Sequence, residues 1–230
     1  MLIRLKLFLA LIRQRFLNKF FDFENRYYVD LFVNNSIWNT PEPNEDENFR
    51  WIEIKKMIDF IDLHDLQILD VGCGRGWLTN KLSNYGEVTG IEPVSDVVLF
   101  ARELFPNLDF HADTPVDFER KNPEKKFDLI VCSEVIEHVI DKKSFVATLS
   151  RLLKNNGYII LTTPRGELRK HWEEIQSKPS QPVEDWISTV DLVTLMKNSR
   201  FDVLRTTFTY IEDIYQIHLC QKINSNNDVS

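Results

Sequence analysis

Three observations predict an α/β fold built on a largely parallel sheet. From Gln67 onward, short β-branched apolar runs alternate with longer stretches at helical spacing. The first of those runs, Ile68-Leu-Asp-Val, ends in a glycine at every second residue, Gly72, Gly74 and Gly76. A chain of 230 residues with 43% hydrophobic content, seven glycines and nine prolines can bury one full core, and is neither fibrous nor of low complexity. Strands are expected near 67–71, 87–92, 108–111, 127–132 and 157–163, with helices near 76–84, 94–105, 141–154 and 189–198. Such alternation gives parallel strands joined by right-handed crossovers, with ligands gathered at the carboxyl ends of the strands. Ser188-Thr-Val-Asp191 reads as the capping box of the last helix. Arg200 to Thr209 and Asp213 to Ile223 read as two further strands, and Asn224 to Ser230 as a polar tail.

The elements before the sheet are less regular. Met1 to Phe21 is apolar and basic at once, but its longest uncharged run, Leu7 to Ile12, is far too short to span a bilayer. Arg13 and Arg15 fall where a signal peptide would need its small-residue cleavage site. A helical projection puts Arg4, Arg15 and Lys19 on one side and Leu5, Leu9, Ile12, Phe16 and Phe20 on the other, with Lys6, Leu7, Leu11 and Arg13 off the pattern. Two readings stay open. One is a basic amphipathic helix on an anionic surface, which for a cytoplasmic protein is the inner membrane face; the other is a helix packed on the body or on a second copy in a homodimer. Phe23, Tyr27, Tyr28, Phe32, Trp38, Phe49 and Trp51 follow, interrupted by Asn39-Thr-Pro-Glu-Pro-Asn-Glu-Asp46, so a helix, a loop and a second helix from about Glu47 to Asp62 are expected. The chain thus divides into a helical extension or lid at 1–62, a sheet domain at 63–223 and a tail at 224–230.

Charge and cysteine usage narrow the partners. The net charge is −7, and residues 1–21 hold five basic residues with no acid, which leaves −12 on the remainder. That body argues against nucleic acid as a partner and suits small uncharged, cationic or carrier-linked acceptors. Cys73, Cys132 and Cys220 are widely spaced and sit partly within strand-like runs, as small buried hydrophobes of a reducing compartment do.

The glycine loop opens a helix at Trp77, which makes it a cradle for a ligand that presses on bare backbone. About twenty residues on, Glu87-Val-Thr-Gly-Ile-Glu-Pro93 closes a strand on Glu92, where a carboxylate can hold a ribose diol. To that point a nicotinamide dinucleotide fits equally well. Two later stretches separate the alternatives: Phe127-Asp-Leu-Ile-Val-Cys-Ser-Glu-Val-Ile-Glu-His-Val139 and Leu153-Lys-Asn-Asn-Gly-Tyr-Ile-Ile-Leu-Thr-Thr-Pro164. Together with Asp70-Val-Gly-Cys-Gly-Arg-Gly76, they resemble the class I S-adenosylmethionine-dependent methyltransferases, in order and in spacing, over residues 66–220. The resemblance implies a seven-stranded, mostly parallel Rossmann-like sheet with helices on both faces, finished by an antiparallel hairpin.

It also implies a cofactor, S-adenosyl-L-methionine, and residues to hold it. Asp70 would lie near the ammonium, and Gly72, Cys73 and Gly74 would line the amino-acid end. Glu92 would hold the ribose hydroxyls with Pro93 beside it, Asp113 would take the adenine amino group, and Ser133 and Glu134 would begin the loop under the methionine moiety. Methyl transfer needs an acceptor held in line in a dry pocket, and a hydroxyl acceptor must also lose a proton. Glu134, Glu137 and His138 stand at i, i+3 and i+4, on one face of any helix there, and His138 is the candidate base. The Glu-x-x-Glu-His pattern resembles ubiquinone-biosynthesis O-methyltransferases and small-RNA 2′-O-methyltransferases, in which such residues can hold magnesium. Gln181 to Trp186 lacks the further histidine of the RNA group, so no metal is assigned and a packing role for the trio remains the alternative. His171 and Trp172 follow the fifth strand and face either the acceptor or the surface. The expected activity is methyl transfer to an oxygen of a sugar, glycan or phenol, small or carrier-linked. The alternatives are an RNA 2′-O-methyltransferase and a non-catalytic binding subunit.

Overall fold

The structure, a computed structural model, describes residues 22–175, 182–209 and 213–223; the expected helix over 1–21 and the tail lie outside them. A helix over 22–34 (α1), whose last turn Asp30–Asn34 widens to a π-helix, leads to α2, Glu45–Ile61. Asn44 and Glu47 cap α2 reciprocally, Asn44 Oδ1 accepting from the Glu47 amide and Glu47 Oε2 from the Asn44 amide. Then follow β1 (Leu66–Val71), α3 (Trp77–Leu82), β2 (Gly86–Ile91), α4 (Ser95–Leu104), β3 (Asp109–His111), α5 (Pro115–Lys121) and β4 (Phe127–Ser133). After a short turn come α6 (Lys142–Leu152), β5 (Leu153–Pro164), α7 (Arg169–Ile175), α8 (Thr189–Asn198), β6 (Phe201–Phe208) and β7 (Tyr215–Lys222).

The sheet order is β3-β2-β1-β4-β5-β7-β6. Strands β1 to β5 run parallel, and β7 lies antiparallel between β5 and β6. The central strands β1, β4 and β5 each carry an unbroken apolar run, Ile68–Leu69, Leu129–Cys132 and Ile159–Leu161, as strands covered on both faces do. Ile68, Leu129, Val131 and Ile160 point to one side, where α2 (Ile54, Met57, Ile58) and α3 (Trp77, Leu78, Leu82) cover them. Their neighbours Leu69, Ile130, Cys132 and Ile159 point to the other, beneath α5, α6 and α8. A period of two thus splits one strand between two cores. The three cysteines are all buried and free.

The expected extension over 1–62 therefore divides. Its second helix, α2, belongs to the main core, while no residue of Asp30–Asn34 is buried. Serine 188 caps α8 by accepting from the Asp191 amide at 3.0 Å, and its hydroxyl donates to the Asp191 carboxylate rather than completing a full box. Strand order runs outward from β1 to β3 and then returns to β4 on the other side. That reversal opens a crevice at the carboxyl ends of β1 and β4.

Candidate functional site

A cavity of about 860 Å³ fills the crevice. Its floor is the turn after β1. Gly72 has φ +71°, and a Cβ there would lie 2.3 Å from Val135 Cγ2; a Cβ on Gly74 would lie 3.1 Å from the Phe32 ring. Gly74 also has positive φ, +49°, so a side chain is strained at both positions and the backbone itself forms the surface. Cys73 lies between them, buried, its thiol pushed well up by burial.

Two carboxylates stand over this floor. Asp70 ends β1 and is 1% exposed, and its Oδ2 accepts from Thr79 Oγ1 at 2.6 Å. Glu92 follows β2 and is 7% exposed, and its Oε1 accepts from the Val94 amide at 3.0 Å. Neither has an ion-pair partner among the described residues, and burial pushes each pKa up to about 7. Pro93 and Ser133 also line the cavity, with Ser133 Oγ 2.9 Å from Thr162 Oγ1.

Asp113 is placed otherwise. Its carboxylate is 5% exposed and pairs with Lys121 of α5, and the next three residues, Thr114, Pro115 and Val116, line the cavity in its stead. A lysine eight residues on, brought back by one short helix, takes up the acid that the sequence offered to an adenine ring.

Glu134, Glu137 and His138 do converge on the cavity, but not on one helix face. Glu134 takes a left-handed conformation, φ +58°, and only Ile136–His138 forms a turn, of 3₁₀ type. Seven residues, 134–140, separate the end of β4 from Asp141, which caps α6, and the chain crosses them with that one turn rather than an α-helix. The strand pairing gathers the carboxylates instead: Thr162 and Thr163 of β5 donate to Glu134 and Glu137, at 2.7 and 3.0 Å. Burial pushes both carboxyls up, with the charge of Glu137 adding to the rise at Glu134 and the charge of Glu184 to the rise at Glu137. His138 Nδ1 lies 2.6 Å from the Val183 carbonyl, and the Asp185 amide donates to the Glu137 carbonyl, so the loop before α8 docks on this turn. His138 Nε2 is 3.9 Å from Glu137 Oε1. Among the described residues no group of three His, Cys, Asp or Glu side chains is arranged to hold a metal ion.

Trp172 lines the cavity, while His171 is exposed. Tyr28, Phe32 and Trp38 of the aromatic stretch line it too; Trp51 packs at the core against Tyr85, and Phe23 is exposed.

Two basic residues escaped the sequence reading. Arg50 is 5% exposed and lines the cavity; its Nη1 donates to Asp46 Oδ2 at 2.8 Å, its guanidinium lies 4.6 Å from the centre of the Tyr215 ring, and its Nε is buried without a partner. The spacing Asp46 to Arg50 looks like an exposed i,i+4 pair, and no signal in the sequence marks it as internal. Arg75, inside the glycine loop, is completely buried.

A model of the methyltransferase domain family matches residues 10–206. Among curated proteins, a putative methyltransferase 235L of Invertebrate iridescent virus 6 is 25% identical over 139 residues, 59% of this chain and 51% of that protein. The ubiquinone biosynthesis O-methyltransferase of Bradyrhizobium diazoefficiens is 32% identical over 116 residues, 48% of this chain and 43% of that protein. The chain spans about half the length of the curated relatives it matches. Among solved structures, the N-methyltransferase NodS of Bradyrhizobium japonicum WM9, in complex with S-adenosyl-L-homocysteine, superposes with a TM-score of 0.70 at 13% identity, over 87% of this chain and 99% of that one. Magnesium protoporphyrin IX methyltransferase of Synechocystis PCC 6803 superposes at 0.64 and 17% identity, over 87% and 97%. These structures share the fold.

Proposed function

This chain belongs to the methyltransferase domain family, and from that premise we propose that it transfers the methyl group of S-adenosylmethionine to an oxygen of a small-molecule or carrier-linked acceptor, of sugar, glycan or phenol type. The donor set fits the cofactor. Asp70 and Glu92 are buried carboxylates with no cation of their own among the described residues, suited to an ammonium and to a ribose diol. Arg50, with one edge on Asp46, suits the amino-acid carboxylate. When bound, the cofactor supplies a methyl group made electrophilic by the adjoining sulfonium.

The chain's own residues must then hold the acceptor, exclude water and remove a proton. His138 carries the proposal. A carbonyl only accepts, so the Val183 contact fixes the ring proton on Nδ1 and leaves Nε2 as the atom that takes a proton. Glu137 Oε1 lies 3.9 Å from Nε2, beside the atom that gains the proton. Tyr28 meets the His138 ring edge-on, and Trp172 and Trp186 line the same cavity, rings that exclude water. The relation to ubiquinone biosynthesis O-methyltransferases supports oxygen as the accepting atom.

Calorimetric titration with S-adenosylhomocysteine, followed by a screen of phenols and sugars for cofactor turnover, tests the proposal. We expect binding of the cofactor product, no binding of NADH, and turnover with a hydroxyl acceptor; turnover with amines alone would overturn the oxygen assignment. For residues 1–21 we propose attachment to an anionic membrane surface. Co-sedimentation with anionic vesicles at low salt that weakens as salt rises is the expected result, and a salt-independent dimer the contrary one.

A further inference from the structure

The glycine loop holds a cation whose role the chemistry above leaves open. Arg75 stands between Gly74 and Gly76, and its donors go to the segment that precedes the sheet. Its Nε donates to the Thr40 carbonyl at 2.7 Å and its Nη2 to the Glu42 carbonyl at 3.1 Å. Nη1 and Nη2 donate to the two oxygens of Glu47, at 2.7 and 2.6 Å, with both side chains buried. One carboxylate thus caps α2 and clasps the cofactor loop.

Aromatic rings continue from that clasp to the base. The Arg75 guanidinium lies 5.8 Å from the centre of the Trp38 ring, and Trp38 meets Phe32 edge-on at 6.4 Å. Phe32 presses on the bare backbone of Gly74 and stacks on Tyr28 at 6.2 Å, and Tyr28 meets His138 edge-on at 6.3 Å. None of these three rings is fully buried, so they depend on what anchors the segment. A buried, bidentate ion pair is a stiff anchor, because separating it strands a charge out of water.

We propose that the Arg75–Glu47 pair is a positioning clasp that holds residues 28–47 as an aromatic strap across the cofactor cradle. Cofactor release and the wall beside His138 are then both set from within the glycine loop. The inference rests on the reading of the cavity as an S-adenosylmethionine site.

Glu47→Gln tests it in the full chain, since glutamine still caps α2 but removes the charge opposite Arg75. Release of S-adenosylhomocysteine, followed by tryptophan fluorescence in stopped flow, should be about tenfold faster in Glu47→Gln and in Phe32→Ala. The double variant should release no faster than the faster single one, because both act through one strap. Amides of residues 28–39 in the free protein should exchange faster in Glu47→Gln, with β1 and β4 as protected as before. Wild-type release rates in both folded variants, or effects that multiply in the double variant, would overturn the clasp. If Glu47→Gln does not fold, Phe32→Ala decides by the same release rate. If the unaltered chain does not bind S-adenosylhomocysteine, the cofactor reading fails and hydrogen exchange still decides the clasp.

Discussion

At the end of the cavity proposed for the cofactor, Asp70, Gly72, Glu92 and Ser133 stand at the carboxyl ends of three adjacent parallel strands, β1, β2 and β4. Tyr28, His138, Trp172, Trp186 and Tyr215, which line the same cavity and are proposed to face the acceptor, come from five segments that are nowhere neighbours in sequence. The first end is held by backbone ladders that any sequence of this topology repeats. The second is held by individual side-chain contacts: Thr163 on Glu137, Val183 on His138, Asp46 between Arg50 and Tyr215. The proposed cofactor site is therefore a property of the sheet, and the proposed acceptor site a property of what is laid across it.

That division can be broken from either side. His138→Ala should lower turnover by roughly 10²–10⁴-fold, the usual worth of a positioned base, and leave S-adenosylhomocysteine affinity unchanged. Equal losses in both would mean that the two ends are not separable. Glu92→Ala acts at the other end and should weaken cofactor binding by roughly ten- to a hundredfold in calorimetry, since charge-assisted hydrogen bonds contribute about 1.5–3 kcal/mol each.

Acidity sharpens the contrast. In the unliganded fold, burial raises Asp70 and Glu92 from their ordinary 3.8 and 4.5 to about 7. Folded values above unfolded ones mean that this contribution to stability is fully present below the ordinary values and is lost as pH rises through about 7. Cofactor binding has the opposite sign, because an ammonium and a diol favour the ionised acids. Affinity for S-adenosylhomocysteine should therefore fall by about fivefold per carboxylate between pH 7 and pH 6. A flat profile across that interval would show that the two acids are already ionised in the free protein. The smallest effect is expected at the cavity's aromatic wall: Trp172→Ala should raise the acceptor KM by about two- to tenfold, as the loss of one aromatic contact does, with cofactor affinity untouched.

Much of this was readable from local pattern. The β1 strand, its three glycines and Glu92 announce themselves because strand, turn and acid are contiguous and each residue type answers a local demand of backbone or charge. The α8 cap at Ser188 and Asp191 is local in the same sense. Asp113 shows where such reading stops, since its acid was legible but the Lys121 that takes it was not. Glu134 and Glu137 show the same limit: their meeting was foreseen, but through a shared helix face that the 3₁₀ turn there does not provide, when paired threonines on β5 bring it about.

The sequence by itself determined the sheet, the two cores that its period of two divides, and the cradle at the strand ends, because propensity and alternation act over a few residues. Tertiary structure alone decided the insertion of β7 between β5 and β6, the burial of Arg50 and Arg75, and the docking of the loop before α8 on His138. Each of these joins residues far apart in the chain. Whether an arginine there is a solvated surface charge or a buried clasp depends on which carboxylate and which carbonyls the fold brings to it, and no local spacing encodes that meeting.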